Sequence, residues 1–206
     1  MLDHVNWPAF LAAMAVVELT PGPNMGWLAA VSVQQGRRAG LLAVAGITLG
    51  LGLQLIAAAT GLSAILSGLP LLYETLRWAG VAFMLFLAVE AWRDTGSPSM
   101  AKADSRAGFR RGLIANLLNP KALVFYVVVI GQFTQEDSGT VWKQILLLGM
   151  IHLLVALIVH VTIVLVGYRL GQTLERYRTA PAVRATFALT LAGIALWIAI
   201  STGRAV

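Results

Sequence analysis

Long apolar runs separated by short polar punctuation dominate the chain. Six windows, near 7–32, 41–66, 71–92, 112–133, 144–169 and 183–202, each supply the roughly 20 mostly apolar residues needed to cross about 30 Å of hydrocarbon. The pattern predicts an all-α integral membrane protein with six transmembrane helices. The first window follows Asp3 and His4 rather than a positively charged leader and outruns a signal-peptide core. It is expected to stay in the mature chain as a span.

Composition makes lipid the solvent. Of 206 residues, 58% are hydrophobic and 12% charged, and the mean hydropathy is +0.79; a soluble fold of this size has too much surface to hide such a load. Zero Cys closes disulfide frameworks, thiol relays and Cys-ligated metal centres. The net charge of +6 reads as topology, not as a sign of nucleic acid. Of the 15 Lys and Arg, eleven fall after spans 1, 3 and 5: Arg37, Arg38, Arg93, Lys102, Arg106, Arg110, Arg111, Arg169, Arg176, Arg178 and Arg184. Arg77, Lys143 and Arg204 lie on the other side, so the positive-inside rule puts both termini in the periplasm. The remaining cation, Lys121, is inside span 4.

The chain reads as a single membrane domain, 1–206, in which a cytoplasmic linker at about 94–111 separates repeat one, about 1–93, from repeat two, about 112–206. An odd number of spans per half forces the halves into opposite orientations, the arithmetic of an inverted repeat and a plan common among secondary transporters. Helices 1 and 4 are expected to break at Pro. Thr20-Pro21-Gly22-Pro23-Asn24 interrupts the first and Asn119-Pro120-Lys121 the fourth, and a shift of 99 residues superposes Pro21 on Pro120.

Proline has no amide hydrogen and clashes with the carbonyl four residues back, so each interruption frees backbone polar groups where lipid cannot satisfy them. A lone proline in a span is usually a kink; paired Pro–polar breaks at matching depth favour a binding site. Thr20-Pro21 and Asn119-Pro120 read as N-cap and first helical residue, so each break would start a half-helix whose positive end attracts an anion such as a carboxylate. Gly22 permits the excursion between the prolines. Glu18 and Lys121 flank the breaks, and each costs roughly 2–4 kcal/mol at the bilayer centre unless paired or wetted. A zwitterion suits them, its carboxylate near the half-helix ends and Lys121, its ammonium near Glu18. Without substrate, Glu18 can pair with Lys121 or take up a proton. A permanent ion pair locking spans 1 and 4 is the plainer reading of Lys121.

His152 and His160 are eight residues apart, about 80° around a helix, which is not a chelating pair; one could accept a proton, against the commoner role of a hydrogen-bonded core histidine. Gln54, Asn116 and Gln132 read as interhelical hydrogen-bonding residues, and Gly46, Gly50 and Gly52 as a face for close helix approach. Trp7, Trp78, Trp92 and Trp142 fall near span ends as interfacial anchors. Trp27 reads as core or cavity wall. Glu74 and Glu90 can reach the interfaces and carry no assigned chemistry.

Pro21-Gly22-Pro23-Asn24, followed by Gly36-Arg37-Arg38-Ala39-Gly40, Trp78-Ala79-Gly80, Asn119-Pro120-Lys121 and Gln132-Phe133, resembles the lysine/threonine exporter family, the LysE/RhtB type, over the whole length. The resemblance implies a bacterial inner-membrane exporter of amino acids or close derivatives, driven by the proton gradient. Carried over residue by residue, Pro21, Gly22, Pro23, Asn24, Asn119, Pro120 and Lys121 match motif positions, and Arg37 and Arg38 match a basic cytoplasmic turn. The chain departs from that pattern in two places. Many relatives have Pro where Gly131 stands and an acidic residue in span 5, whereas residues 138–174 contain no acid. Coupling then falls to Glu18 or His160, and a cationic substrate is disfavoured.

These readings converge on a secondary transporter that exports a neutral amino acid or derivative by proton antiport and alternating access. The expected substrate site is Glu18, Thr20, Pro21, Gly22, Pro23, Asn24, Asn119, Pro120 and Lys121, with Glu18 and His160 as proton-coupling candidates. No enzyme activity, cofactor, metal or nucleic acid is expected. Partners are the substrate, protons and the lipid bilayer, with a homo-oligomer left open. The alternatives are a divalent metal-cation efflux protein, which would want clustered His, Asp, Glu or Cys ligands, and a non-transport membrane assembly factor.

Overall fold

The structure is a computed structural model that describes residues 2, 5–19, 22–62, 70–93, 105–119, 121–122, 125–135, 137, 139–173 and 181–201. Among these, all regular structure is helical. Thr20, Pro21 and Pro120, and residues 94–104 of the expected linker, lie outside the described residues.

Helix α1 (Trp7–Leu19) starts at Asn6, whose side-chain oxygen accepts the Ala9 amide at 3.1 Å, with Pro8 in the first turn. Helix α2 (Pro23–Ala57) begins after Gly22, which is extended at φ −138°, ψ 175°. The start is at Gly22-Pro23, two residues later than the Thr20-Pro21 start expected from sequence. Pro23 supplies the same fixed φ, and Gly22 has no side chain to cap the amides that follow.

Helical residues continue through Ala57, but the path is broken at Gly36, where φ is 85° and ψ −179°. That backbone is open to glycine and costly for other residues. The chain folds back there: a Cβ on Gly40 would lie 2.7 Å from Ser32 Oγ, whereas eight residues of straight helix would separate the two by about 12 Å. Arg37 and Arg38 stand exposed just past the turn. A wide π turn, Ala58–Leu62, ends this arm, with Gly61 at φ 84°.

Helices α3 (Pro70–Arg93), α4 (Ser105–Leu117), α5 (Val141–Thr173) and α6 (Pro181–Ser201) follow. Between α4 and α5 the backbone is irregular: Asn119 is outside any helix, Lys121 and Ala122 are helical, Phe125–Val129 is π-helical and Ile130–Phe133 a 3-10 turn. Span 4 is therefore not the single helix with one break expected over 112–133. Gln144 secures the next connection, accepting the Gln135 amide at 3.0 Å and donating to the carbonyls of Gln135 and Gly139.

Helix α2 packs against α4 and α5, α3 against α6, and α1 touches α5. Small residues bring α2 and α4 together: a Cβ on Gly46 would run into the Phe109 carbonyl, and one on Gly112 into the Ala43 carbonyl. Gly52 does not belong to this face, since its nearest neighbour would be Leu153 Cδ1 at 3.9 Å. Helix α5 departs from the pattern of a soluble helix on its outer side. Its buried stripe mixes Gln144, His152 and His160 with Leu148, Ala156, Val164 and glycines, while its exposed side holds Leu147, Met150, Leu154, Ile158 and Val166. An outward apolar face with the polar side chains turned inward suits a lipid solvent.

Among the described residues, two segments, Asn24–Gly61 and Val141–Thr173, are long and apolar enough to cross a membrane, and shorter apolar helices run Trp7–Glu18 and Trp78–Val89. Trp7, Trp78, Trp92 and Trp142 are exposed, and Trp27 is core. Gln132 is exposed, contrary to its expected interhelical role, because the 3-10 turn carries it off the packed face.

The two glycines separate packing from propensity. Gly46→Ala should cost about 1–3 kcal/mol by forcing α2 from α4, while Gly52→Ala should leave the thermal unfolding midpoint in detergent unchanged. Equal midpoint shifts for both variants would contradict the close approach at Gly46.

Candidate functional site

Where α1 stops and α2 starts, two helix ends of opposite polarity meet. Glu18 is the penultimate residue of α1, beside its carbonyl end, which favours cations; the first amides of α2, which Gly22 has no side chain to cap, favour anions. The connection after α4 comes to the same place. Asn119 Oδ1 accepts the Lys121 amide at 3.1 Å, a cap that begins a new helical turn and aims Lys121. A Cβ on Gly22 would sit 3.4 Å from Lys121 Nζ, so the ammonium lies over the start of α2. Any larger residue at position 22 would crowd it.

These groups border one cavity of about 30 Å³, lined by Val17, Glu18, Gly22, Asn24, Met25, Leu51, Asn119, Lys121, Ala122, His152 and His160. That volume holds about two waters. Of the expected substrate-site residues, Glu18, Gly22, Asn24, Asn119 and Lys121 come together here. The Pro23 side chain is outside the described residues, as are Thr20, Pro21 and Pro120.

Glu18 is held by His152, whose Nε2 is 3.0 Å from Glu18 Oε1. The other ring nitrogen, Nδ1, is 3.0 Å from the hydroxyl of Tyr126. All three side chains are buried. An ionised Glu18 only accepts, so Nε2 carries hydrogen; with a neutral ring, Nδ1 then accepts from the Tyr126 hydroxyl. Phe125 covers the imidazole, with ring centroids 4.0 Å apart. The π-helical turn places Phe125 and Tyr126 on His152.

Sequence reading singles out His160 as the coupling histidine and leaves Tyr126 out, whereas the histidine bonded to Glu18 is His152. The signal available was an aromatic residue five positions past Lys121, within reach of a buried histidine only after a long-range fold. His160 also lines the cavity, and its Nδ1 is buried with no hydrogen-bond partner among the described residues.

A chain of three amides runs back from the wall at Asn24. Asn24 Nδ2 donates to Asn116 Oδ1 at 2.8 Å, Asn116 Nδ2 to Gln54 Oε1 at 3.2 Å, and Gln54 Nε2 to the Asn116 carbonyl at 3.2 Å. Gln54 and Asn116 thus join α2 to α4, as read from sequence. Asn24 Oδ1 is buried with no partner among the described residues. Also among the described residues, no group of three His, Asp or Glu could hold a metal ion.

The site can therefore offer acceptors (Glu18, Asn24 Oδ1), donors (Lys121, the first amides of α2) and a histidine that can change charge. The profile of LysE type translocators matches residues 15–202, from just before Glu18 to past the end of α6. The chain belongs to that family. It is similar to the homoserine/homoserine lactone efflux protein of Salmonella typhimurium, 31% identical over 157 residues, which cover 74% of this chain and 76% of that one. The protein of the same description from Salmonella typhi matches equally, 31% over 157 residues. An uncharacterized membrane protein of Vibrio cholerae is 28% identical over 187 residues, 88% of each chain. No solved structure matches the chain. This translocator is a membrane protein, and its family comprises transporters rather than enzymes.

Glu18 and His152 should be energetically one unit. His152→Leu leaves a buried carboxylate without its partner and should destabilise the protein by about 3–5 kcal/mol. Adding Glu18→Leu should restore part of that loss, read as the thermal unfolding midpoint in detergent. Additive losses would show that the two side chains do not interact.

Proposed function

We propose that this translocator exports a neutral, zwitterionic amino acid or a close derivative across the bacterial inner membrane by alternating access, in exchange for protons. The observation that carries the reading is the meeting of opposed helix ends, each beside a side chain of the complementary use. The substrate ammonium is taken by Glu18 and the carbonyl end of α1, and the carboxylate by Lys121 and the uncapped amides of α2. Equal numbers of cationic and anionic side chains in the wall suit a zwitterion better than a dibasic amino acid. The likeness to homoserine/homoserine lactone efflux proteins supports a small hydroxylated amino acid and its lactone as first substrates to try.

The architecture proposed is six spans in two inverted repeats, 1–93 and 112–206 about a cytoplasmic linker, with both termini periplasmic. Spans 1 and 4 break at Thr20-Pro21-Gly22-Pro23-Asn24 and Asn119-Pro120-Lys121, at the membrane midplane. A 30 Å³ cavity is too small for an amino acid, so its walls part to admit one. Movement of α1 and the Lys121 segment against α5 would do this, opening the site to one side at a time.

Coupling follows from competition for Glu18. With His152 neutral, Glu18 receives the substrate ammonium. A proton on His152 makes an imidazolium–carboxylate pair that closes Glu18 to the ammonium, and Tyr126 then accepts from Nδ1. His160, at the cavity wall, is the route by which a proton can reach this pair. Export thus alternates the substrate ammonium and the His152 imidazolium as partners of one carboxylate.

Counterflow in proteoliposomes against a panel of amino acids, L-homoserine and L-homoserine lactone, with the pH gradient set and then collapsed, tests the reading. Wild-type protein should accumulate a neutral amino acid or the lactone only while a gradient is present. Glu18→Gln should abolish proton-driven export, and Lys121→Met should raise the apparent KM for a free amino acid about tenfold. Uptake indifferent to both substitutions would remove this cavity from transport.

A further inference from the structure

The amide chain beside the cavity has a direction, and the direction selects which atom of Asn24 the substrate meets. A side-chain amide presents oxygen or nitrogen in nearly the same shape, so its orientation is decided by partners that can only accept or only donate. One such partner exists here. The backbone carbonyl of Asn116 can only accept, and its α-helical donor would be the amide of residue 120, which is proline and has none.

The Asn116 carbonyl instead receives the Asn119 amide at 2.9 Å and Gln54 Nε2 at 3.2 Å. With Nε2 so placed, Gln54 must turn Oε1 to Asn116, which must give it Nδ2. Asn116 then has only Oδ1 left for Asn24, which must give it Nδ2 in turn. The end of the chain is fixed: Asn24 lines the cavity, and its Oδ1 is buried and without a hydrogen-bond partner among the described residues.

A buried acceptor left open on a polar cavity is costly unless something donates to it. We infer that Asn24 Oδ1 is an acceptor for the substrate's α-ammonium alongside Glu18, and that Gln54 and Asn116 are positioning residues that hold it in that sense. The inference rests on the reading of the cavity as an amino-acid site and adds its selectivity: the ammonium is the obligatory group. A charged donor gains more from a fixed neutral acceptor than a hydroxyl does, so a substrate lacking the amine should be rejected. It also accounts for how one site could serve a free amino acid and its lactone, which share the ammonium and differ in the carboxylate.

The test measures dissociation constants of purified protein in nanodiscs for three probes: L-homoserine, L-homoserine lactone and 4-hydroxybutanoate, the des-amino counterpart of homoserine. Wild-type protein should prefer both amines to 4-hydroxybutanoate. Gln54→Met, matched in length, should lower that preference about tenfold by releasing the amide orientation, although Gln54 itself does not line the cavity. Asn24→Ser, a break at the other end of the chain, should lower it comparably. An unchanged preference in whichever variant is monodisperse would overturn the inference while leaving the amino-acid site intact. Wild-type protein that binds neither amine would instead overturn the reading of the cavity, and the inference with it.

Discussion

A backbone that ceases to be helical within a bilayer leaves amides and carbonyls that lipid cannot satisfy. That constraint organises this protein. The end of α1 and the start of α2 require polar company, as does the connection after α4, and the chain provides it by bringing the two regions to one cavity. Lys121 lies over Gly22, and the Asn116 carbonyl, denied a helical donor by Pro120, is taken by Gln54.

The packing serves the same end. Helix α2 folds back at Gly36 and uses glycines to approach α4 closely enough for Gln54 to reach Asn116. Helix α5 turns His152 and His160 inward and leaves an apolar face outside. His152 stands between a carboxylate and a phenol and is covered by Phe125, so its ring ties α5 to the end of α1 and to the π-helical turn. The same buried side chains that hold the helices together are those on which the proposed exchange depends.

Much of this is legible in the chain itself, and for a physical reason. Glu18, Lys121 and the Pro–polar breaks are expensive in lipid, so their presence alone marks a place where they are compensated. Gln54 and Asn116 stand out as amides inside apolar windows for the same reason. Tyr126 does not, because a tyrosine in a span is ordinary and only the fold shows that it reaches His152. The sequence suggests Glu18 with Lys121, two charges near matching breaks; the fold brings both to one cavity and adds His152, 134 residues from Glu18 in sequence and 3.0 Å from its carboxylate. Local rules also misplace the start of α2, since Pro21 and Pro23 can each open a helix, and miss the π and 3-10 turns that carry Gln132 outward. The polar gap between the windows 7–32 and 41–66 marks the α2 hairpin, and the positive-φ glycine at position 36 turns the chain there.

The central claim is that substrate occupies the cavity between the end of α1, the start of α2 and Lys121. Because the chain contains no cysteine, a single Met25→Cys in the cavity wall can report occupancy directly through its rate of reaction with a hydrophilic thiol reagent in membranes. The account predicts that L-homoserine, or whichever amino acid drives counterflow, slows that labelling in a saturable manner at concentrations near its KM. A labelling rate unaffected by a compound that the protein transports would place the substrate elsewhere and contradict the account.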